Sequence, residues 1–84
     1  MYDLISFIKR GRIRLEILKI LDKPKTPTML AKELCTHQST VSRALIALEH
    51  KKLVECLTPN EKLFRMYKIS IKGRKILNEI NKIF

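Results

Sequence analysis

Apolar residues recur along most of this chain at the spacing of amphipathic helices. A helix is predicted over residues 12–21, where the apolar positions are Ile13, Ile17, Ile20 and Leu21. A second apolar-periodic stretch, residues 1–9, precedes it, and Gly11 separates the two. One glycine is tolerated inside a helix, so the pattern leaves open whether a single helix continues across Gly11. Pro24 and Pro27 then end the helical stretch and bracket a turn.

Two more helices follow that turn. Thr26 is a typical N-cap residue and Pro27 a typical first-turn residue, so a short helix is predicted from there, with Leu30, Ala31 and Leu34 on its buried face. The next helix is predicted over residues 38–51. Its apolar positions are spaced i, i+3, i+4 and i+7 and should form a buried stripe of Val41, Ala44, Leu45 and Leu48.

In the last third of the chain, the hydrophobic pattern first changes from that of helices to that of strands. Residues 53–57 and 63–69 are predicted strands of a hairpin, because they are rich in β-compatible residues and flank the turn-forming residues 58–61. Ser70 can cap a final helix, whose apolar stripe is Ile76, Leu77, Ile80, Ile83 and Phe84. The predicted class is therefore α+β and mainly α, with a three-helix core, a two-stranded β-hairpin and a C-terminal helix.

The charge of the chain points to a polyanionic partner. The 84 residues, enough for a single domain over 1–84, include 18 Lys and Arg against 8 Asp and Glu, a formal net charge of +10. Hydrophobic residues make up 45% of the chain, which is too many for a disordered basic tail. Nucleic acid is the first expected partner and an anionic membrane surface the second.

Several other classes are not expected. No apolar run approaches the roughly 18 residues of a membrane span, and the first residues lack the features of a signal peptide. Two cysteines, Cys35 and Cys56, are too few for a disulfide framework, so a cytoplasmic protein with free thiols is expected. The chain has no Gly-rich phosphate loop and no catalytic triad in a supporting context, so neither an enzyme nor a cofactor is expected.

Two stretches of sequence carry a family resemblance. The first is TPTMLAKEL (residues 26–34) followed by QSTVSRAL (residues 38–45), and the second is YKISIKGR (residues 67–74). Together they resemble winged helix-turn-helix transcription regulators of the ArsR/MarR-like type from archaea and bacteria. The resemblance implies a cytoplasmic, nucleoid-associated homodimer that binds double-stranded DNA sequence-specifically. Residues 38–51 would be the recognition helix in the major groove, and residues 57–65 the wing on the minor groove or backbone.

The residue types on the recognition helix suit that role. Its outer side is short and polar near the start, which lets a helix approach the groove. Arg43 is the candidate for reading a base, while Gln38 is left between an adenine contact and a phosphate contact. Ile46 is left between thymine methyl groups and packing on the protein itself. The full set of predicted DNA contacts is Thr28, Gln38, Ser39, Thr40, Ser42, Arg43, Ile46, Lys62, Arg65 and Lys68.

The predicted wing is strongly basic. Residues 62–75 carry six Lys or Arg and no acidic residue. Arg65 is the candidate for insertion into the minor groove, and Lys62 and Lys68 are the candidates for phosphate contacts. The alternative function is a winged-helix module that binds protein in a transcription or assembly complex, since the fold alone does not decide function.

The turn before the recognition helix departs from the family pattern. Cys35, Thr36 and His37 stand where the family has glycine, an aliphatic residue and a good N-cap. A left-handed Cys35 would be strained, which leaves the shape of this turn open. Cys35, His37, His50 and Cys56 are too scattered to predict a metal site. No small-molecule effector is evident either.

The two ends of the chain are the predicted dimerisation segments, residues 1–11 and 72–84. Their apolar stripes lie outside the helix-turn-helix, and packing them across a two-fold axis would stabilise both. The predicted interface consists of Leu4, Ile5, Ile8, Leu77, Ile80, Ile83 and Phe84. The rival interpretation is a monomer in which both ends fold back on their own domain.

Overall fold

A computed structural model of the chain describes residues 2–61 and 65–83. Its helices and strands run in the order α1 (Tyr2–Arg10), α2 (Arg12–Ile20), α3 (Pro27–Glu33), α4 (Gln38–His50), β1 (Val54–Cys56), β2 (Tyr67–Ile69) and α5 (Ile71–Ile83). The predicted α+β, mainly helical class is confirmed. Both strands are shorter than the sequence suggested, whereas α3, α4 and α5 agree with it to within a few residues.

The N-terminal helical stretch is broken at Gly11. This residue has extended backbone angles, φ −115° and ψ 102°, and it separates α1 from α2. Arg14 holds the break in place, since its guanidinium lies 4.0 Å from the centre of the Phe7 ring and its Nη1 donates to the Phe7 carbonyl at 2.6 Å. The sequence left one or two helices open, and the structure has two.

Two turns, one before α3 and one after it, determine how α4 is positioned. Thr26 caps α3 as predicted, because its Oγ1 accepts a hydrogen bond from the backbone N–H of Met29 at 3.2 Å. At the other end Cys35 has φ 53°, the left-handed conformation that favours glycine. His37 precedes α4 as its N-cap without a side-chain hydrogen bond. The turn therefore forms in spite of residues that suit it poorly.

The hairpin is joined to the start of α3 by a backbone bridge that the sequence did not reveal. β1 and β2 are antiparallel, with Val54 opposite Ile69 and Cys56 opposite Tyr67. On the far side of β2, the N–H of Lys25 donates to the carbonyl of Tyr67 at 3.0 Å, and the N–H of Tyr67 donates back to Lys25 at 2.9 Å. The segment predicted as a plain turn before α3 thus pairs with the hairpin.

The start of α5 is anchored to the end of the α4–β1 connection. Ser70 caps the helix as predicted, since its Oγ accepts from the N–H of Gly73 at 2.9 Å and donates to the carbonyl of Lys52 at 2.7 Å. Gly73 is buried against Leu53, so the first turn of α5 packs closely on this residue. Lys52 itself has a left-handed backbone, with φ 63°.

The packing of the chain ends corrects one premise of the sequence analysis. Ile5, Ile8 and Ile80 do not lie outside the helix-turn-helix but are buried in the core of this single chain. Leu4 and Leu77 pack against the same core and are half-buried. α1 and α5 reach this position because both contact α2 and each other. The side chains of Ile83 and Phe84 lie outside the described residues, and the homodimer stays a prediction.

Candidate nucleic-acid interface

One face of α4 is covered by the core and the opposite face is open to solvent. Val41, Ala44, Leu45 and Leu48 are buried, as the stripe predicted. At 100° per residue, the positions opposite this stripe are Ser39, Arg43, Ile46 and His50, and all four are exposed. Ile46 is 63% exposed, so most of its side chain does not pack on its own chain. The two α4 flanks on either side of this open face meet different parts of the protein.

The first flank of α4 faces the wing. A cavity of about 210 Å³ lies there, lined by Pro27, Gln38, Ser42, Leu45, Ile46, Arg65 and Tyr67. The structure thus brings predicted DNA contacts from α4 and from the wing together at one place. Arg65 lies two residues before Tyr67, the first residue of β2, and both side chains line this cavity.

Arg65 is the wing residue whose charge lies beside α4. Its guanidinium carbon is 5.9 Å from the centre of the Tyr67 ring. A hydrogen bond with Cys56 raises the pKa of Arg65, so its charge is permanent, and burial raises the pKa of the Tyr67 phenol. The Nε of Arg65 is buried and, among the described residues, has no hydrogen-bond partner. The guanidinium therefore lies along the root of the wing, where it borders the cavity.

The second flank of α4 faces the junction of α1 and α2. A groove there is lined by Gly11, Arg12, Ile13, Arg14, Thr40, Arg43 and Ala44. Arg43 is exposed at its edge, and its Nε lies 3.4 Å from the Ser39 carbonyl, one turn earlier in α4. Two of the predicted contacts, Thr40 and Arg43, thus border this groove, whereas Gln38 and Ser42 border the wing cavity.

Some predicted contacts are not brought to either flank. Lys68 is exposed on the other face of β2, where its Nζ lies 3.7 Å from the Glu55 carboxylate. The cavity beside Lys68 is lined by residues of the α2–α3 turn and of α5, not by α4. Thr28 is exposed in the first turn of α3 and lines neither flank. Lys62 lies outside the described residues.

The arginines at the α1–α2 junction border the candidate interface, and the sequence analysis did not point to them. Arg12 and Arg14 line the second flank, and Arg10 lines an adjoining pocket with Phe7 and Lys51. The signal was present in the sequence as the run KRGRIR over residues 9–14. It was overlooked because the pattern did not show that this junction packs beside α4.

The metal-binding side chains of residues 2–61 and 65–83 are scattered. No group of three or more His, Cys, Asp or Glu side chains comes together there as a metal ion would require. Cys35 is exposed and Cys56 half-buried, and both are free thiols. In the same part of the chain, no helix is long and apolar enough to cross a membrane.

Solved structures that superimpose on this chain include transcription regulators. BldR from Sulfolobus solfataricus superimposes with a TM-score of 0.75 at 29% identity, over 84% of this chain and 52% of that one. A mutant ZitR from Lactococcus lactis in apo form gives 0.74 at 18% identity, over 95% and 63%. A mutant MarR from E. coli, complexed with operator DNA, gives 0.63 at 25% identity, over 96% and 69%. No family model and no curated protein matches the chain.

The likeness covers nearly all of this chain but only part of its neighbours. The chain spans about half of the BldR chain, 52%. Across that length the order of helices and the hairpin is that of a winged helix, so the predicted fold is confirmed and the resemblance to MarR-like regulators holds in three dimensions.

Proposed function

We propose that this winged-helix chain of the MarR-like type is a sequence-specific, double-stranded-DNA-binding transcription regulator. The helix α4 would enter the major groove, and the wing, residues 57–65, would lie on the minor groove or the backbone beside it. The proposal rests on the fold, on the net charge of +10, and on the way the open face of α4 is bordered by fixed positive charge.

The observation that carries the proposal is the open face of α4. A helix fits the major groove only when the face opposite its core is free of large packed side chains. Ser39 and Arg43 are exposed on this face, and Arg65 adds a permanent positive charge on its wing side. One solved neighbour with this fold, the E. coli MarR mutant, is complexed with operator DNA.

The side chains on α4 and the wing suit different parts of the DNA. Arg43, at the exposed edge of α4, suits a bidentate contact with guanine. Ile46 is exposed next to the wing cavity and suits the methyl group of thymine. Ser39, Thr40 and Ser42 have hydroxyls that suit phosphate oxygens. Arg65 lines the wing cavity beside α4 and would contact the backbone or minor groove there.

A titration of the protein with duplex DNA tests the proposal against the alternative of a protein-binding module. Binding to random duplex at low salt should be measurable, and log K should fall with log salt at a slope of about −0.9 for each phosphate neutralised. A sequence selected from a random library should bind more tightly than the random pool. No binding to duplex DNA at low salt would reject the regulator and favour the protein-binding module.

A further inference from the structure

The arginines at the junction of α1 and α2 form a basic surface that has no role so far. We propose that this junction surface, made of Arg10, Arg12 and Lys51, holds the second sugar-phosphate backbone of the groove that α4 enters. It would thus clamp the DNA from the side opposite the wing. The inference rests on the proposed function and adds a second backbone contact to it.

The geometry of α4 carries the argument. Gln38 and Ser42 lie on the flank that faces the wing cavity, and Thr40 lies on the flank that faces Arg12. These flanks are on opposite sides of the open face, because Thr40 and Ser42 are two residues apart and therefore about 160° apart around the helix axis. A major groove of about 12 Å takes a helix of 10–12 Å with a phosphate backbone along each side. The wing reaches one of these backbones, and the junction surface stands next to the other.

The charges of the junction surface suit a polyanion. Its groove is lined by Arg12, Arg14 and Arg43 and by no carboxylate. Within the described residues, none of the ion pairs involves Arg10, Arg12 or Arg43. Further along the same flank of α4, Arg10 and Lys51 line the adjoining pocket, in which Asp3 is the acidic residue. The positive charge therefore continues along α4 instead of ending at Arg12.

Carboxylates mark the limit of this surface on the side of the α3–α4 turn. Glu16 and Glu33 line the groove beyond Arg12, next to Cys35. Glu33 is already paired, since its Oε2 lies 2.8 Å from the Nζ of Lys25. The basic surface therefore borders α4 on one side and ends at carboxylates on the other. A phosphate contact beside the recognition helix needs this arrangement.

The local structure keeps the junction in place. Arg14 is tied to the Phe7 carbonyl and lies over the Phe7 ring, and the Nζ of Lys51 is 5.6 Å from the centre of the same ring. Gly11 breaks the helix so that Arg12 starts α2 beside Thr40. Arg14 thus supports the fold, while Arg12 is exposed and available for a phosphate.

Arg12→Gln tests the inference, with Lys19→Gln as the matched control. Both residues are exposed basic residues of α2, and they lie seven positions, or about 10 Å, apart along the helix. Removing a positive charge from the first turn of a helix does not oppose its dipole, so Arg12→Gln is expected to fold. Fluorescence anisotropy with a duplex that extends well beyond the protein gives the affinity at several salt concentrations, and circular dichroism confirms folding.

We expect Arg12→Gln to weaken binding about fivefold on every sequence alike and to reduce the salt slope by about 0.9, as the loss of one phosphate contact predicts. Lys19→Gln should leave the slope unchanged. Equal effects of the two variants would show that only net charge matters and would overturn the inference. An Arg12→Gln variant that binds like the wild type, while Arg65→Ala binds more weakly, would overturn it and leave the proposed function standing. A wild-type protein that binds no duplex would overturn both.

Discussion

Gly73 lies so close to Leu53 that a Cβ atom at residue 73 would be 2.1 Å from the Leu53 carbonyl oxygen. The same oxygen accepts a hydrogen bond from the N–H of Ser70 at 3.0 Å, so it cannot move away freely. A Cβ would also lie 2.8 Å from Cγ1 of Ile69. The first turn of α5 is therefore pressed onto the residue that leads into the hairpin.

Gly73→Ala should consequently destabilise the protein. The added methyl group meets backbone rather than a flexible side chain, and we expect the free energy of unfolding to fall by about 2 kcal/mol. Gly11→Ala is the comparison, and a smaller loss is expected for it. A Cβ there meets the side chain of Arg14, which can shift at the cost of its contacts with Phe7, and the backbone is in an ordinary extended conformation. Urea denaturation measures both variants, and equal losses would contradict this explanation.

Cys35→Gly should stabilise the protein. Cys35 has φ 53°, a conformation that costs an ordinary residue about 1–2 kcal/mol and glycine almost nothing. Glycine also loses more entropy on folding, so a net gain of about 1 kcal/mol is expected in the free energy of unfolding. Cys35→Ala removes the thiol and keeps the strain, and thermal or urea unfolding should show no comparable gain for it. A similar gain for alanine would place the effect in the thiol.

Arg43→Ala should relax the choice of DNA sequence. Losing one bidentate contact should cost about 1–3 kcal/mol on the preferred site and weaken the preference at one base pair. Lys68→Ala is the comparison, because Lys68 lies on the other face of the hairpin and beside Glu55. Its removal should have a smaller effect that is the same on preferred and random duplex. If both variants lower both affinities by the same factor, Arg43 does not read a base.

We also propose that the protein works as a homodimer that reads an inverted repeat, with two α4 helices in major grooves about 34 Å apart. Because Ile80 is in the core, Leu77, half-buried on α5, is the better residue to change. Leu77→Glu should convert a dimer to folded monomers in sedimentation at micromolar concentration. Leu57→Glu, on an exposed leucine outside both terminal helices, should leave it dimeric. A wild-type protein that sediments as a monomer would reject the proposal.

Local rules in the sequence predicted the elements well. The caps at Thr26 and Ser70 depend only on side chains and backbone groups three residues apart, so their hydrogen bonds could be foreseen. The buried stripe of α4 follows from helical periodicity in the same way. The shape of the turn at Cys35 was left open by the sequence, and the structure has the left-handed conformation of the glycine that is usual there in the resembling family.

Relationships between distant parts of the chain were harder to predict. An apolar stripe looks the same whether its own domain or a second copy covers it, so Ile5, Ile8 and Ile80 were assigned to a dimer interface although they complete the core. The pairing of Lys25 with Tyr67 is an isolated bridge. A single residue before α3 takes part in it, so no alternation of polar and apolar residues marks it in the sequence. The different placements of Arg65 and Lys68 agree with their odd spacing in extended chain, although the sequence analysis assigned both residues to DNA contacts.

The bridge between Lys25 and Tyr67 fixes the distance between the wing and the helix-turn-helix. Lys25 directly precedes the Thr26 cap of α3, so the root of the wing cannot shift without pulling on the helix that supports α4. For DNA bound as proposed, the distance between the two grooves that are touched is then set by the protein. The DNA has to adjust its groove width to match, and sequences that deform easily at the wing would be selected without any contact to their bases.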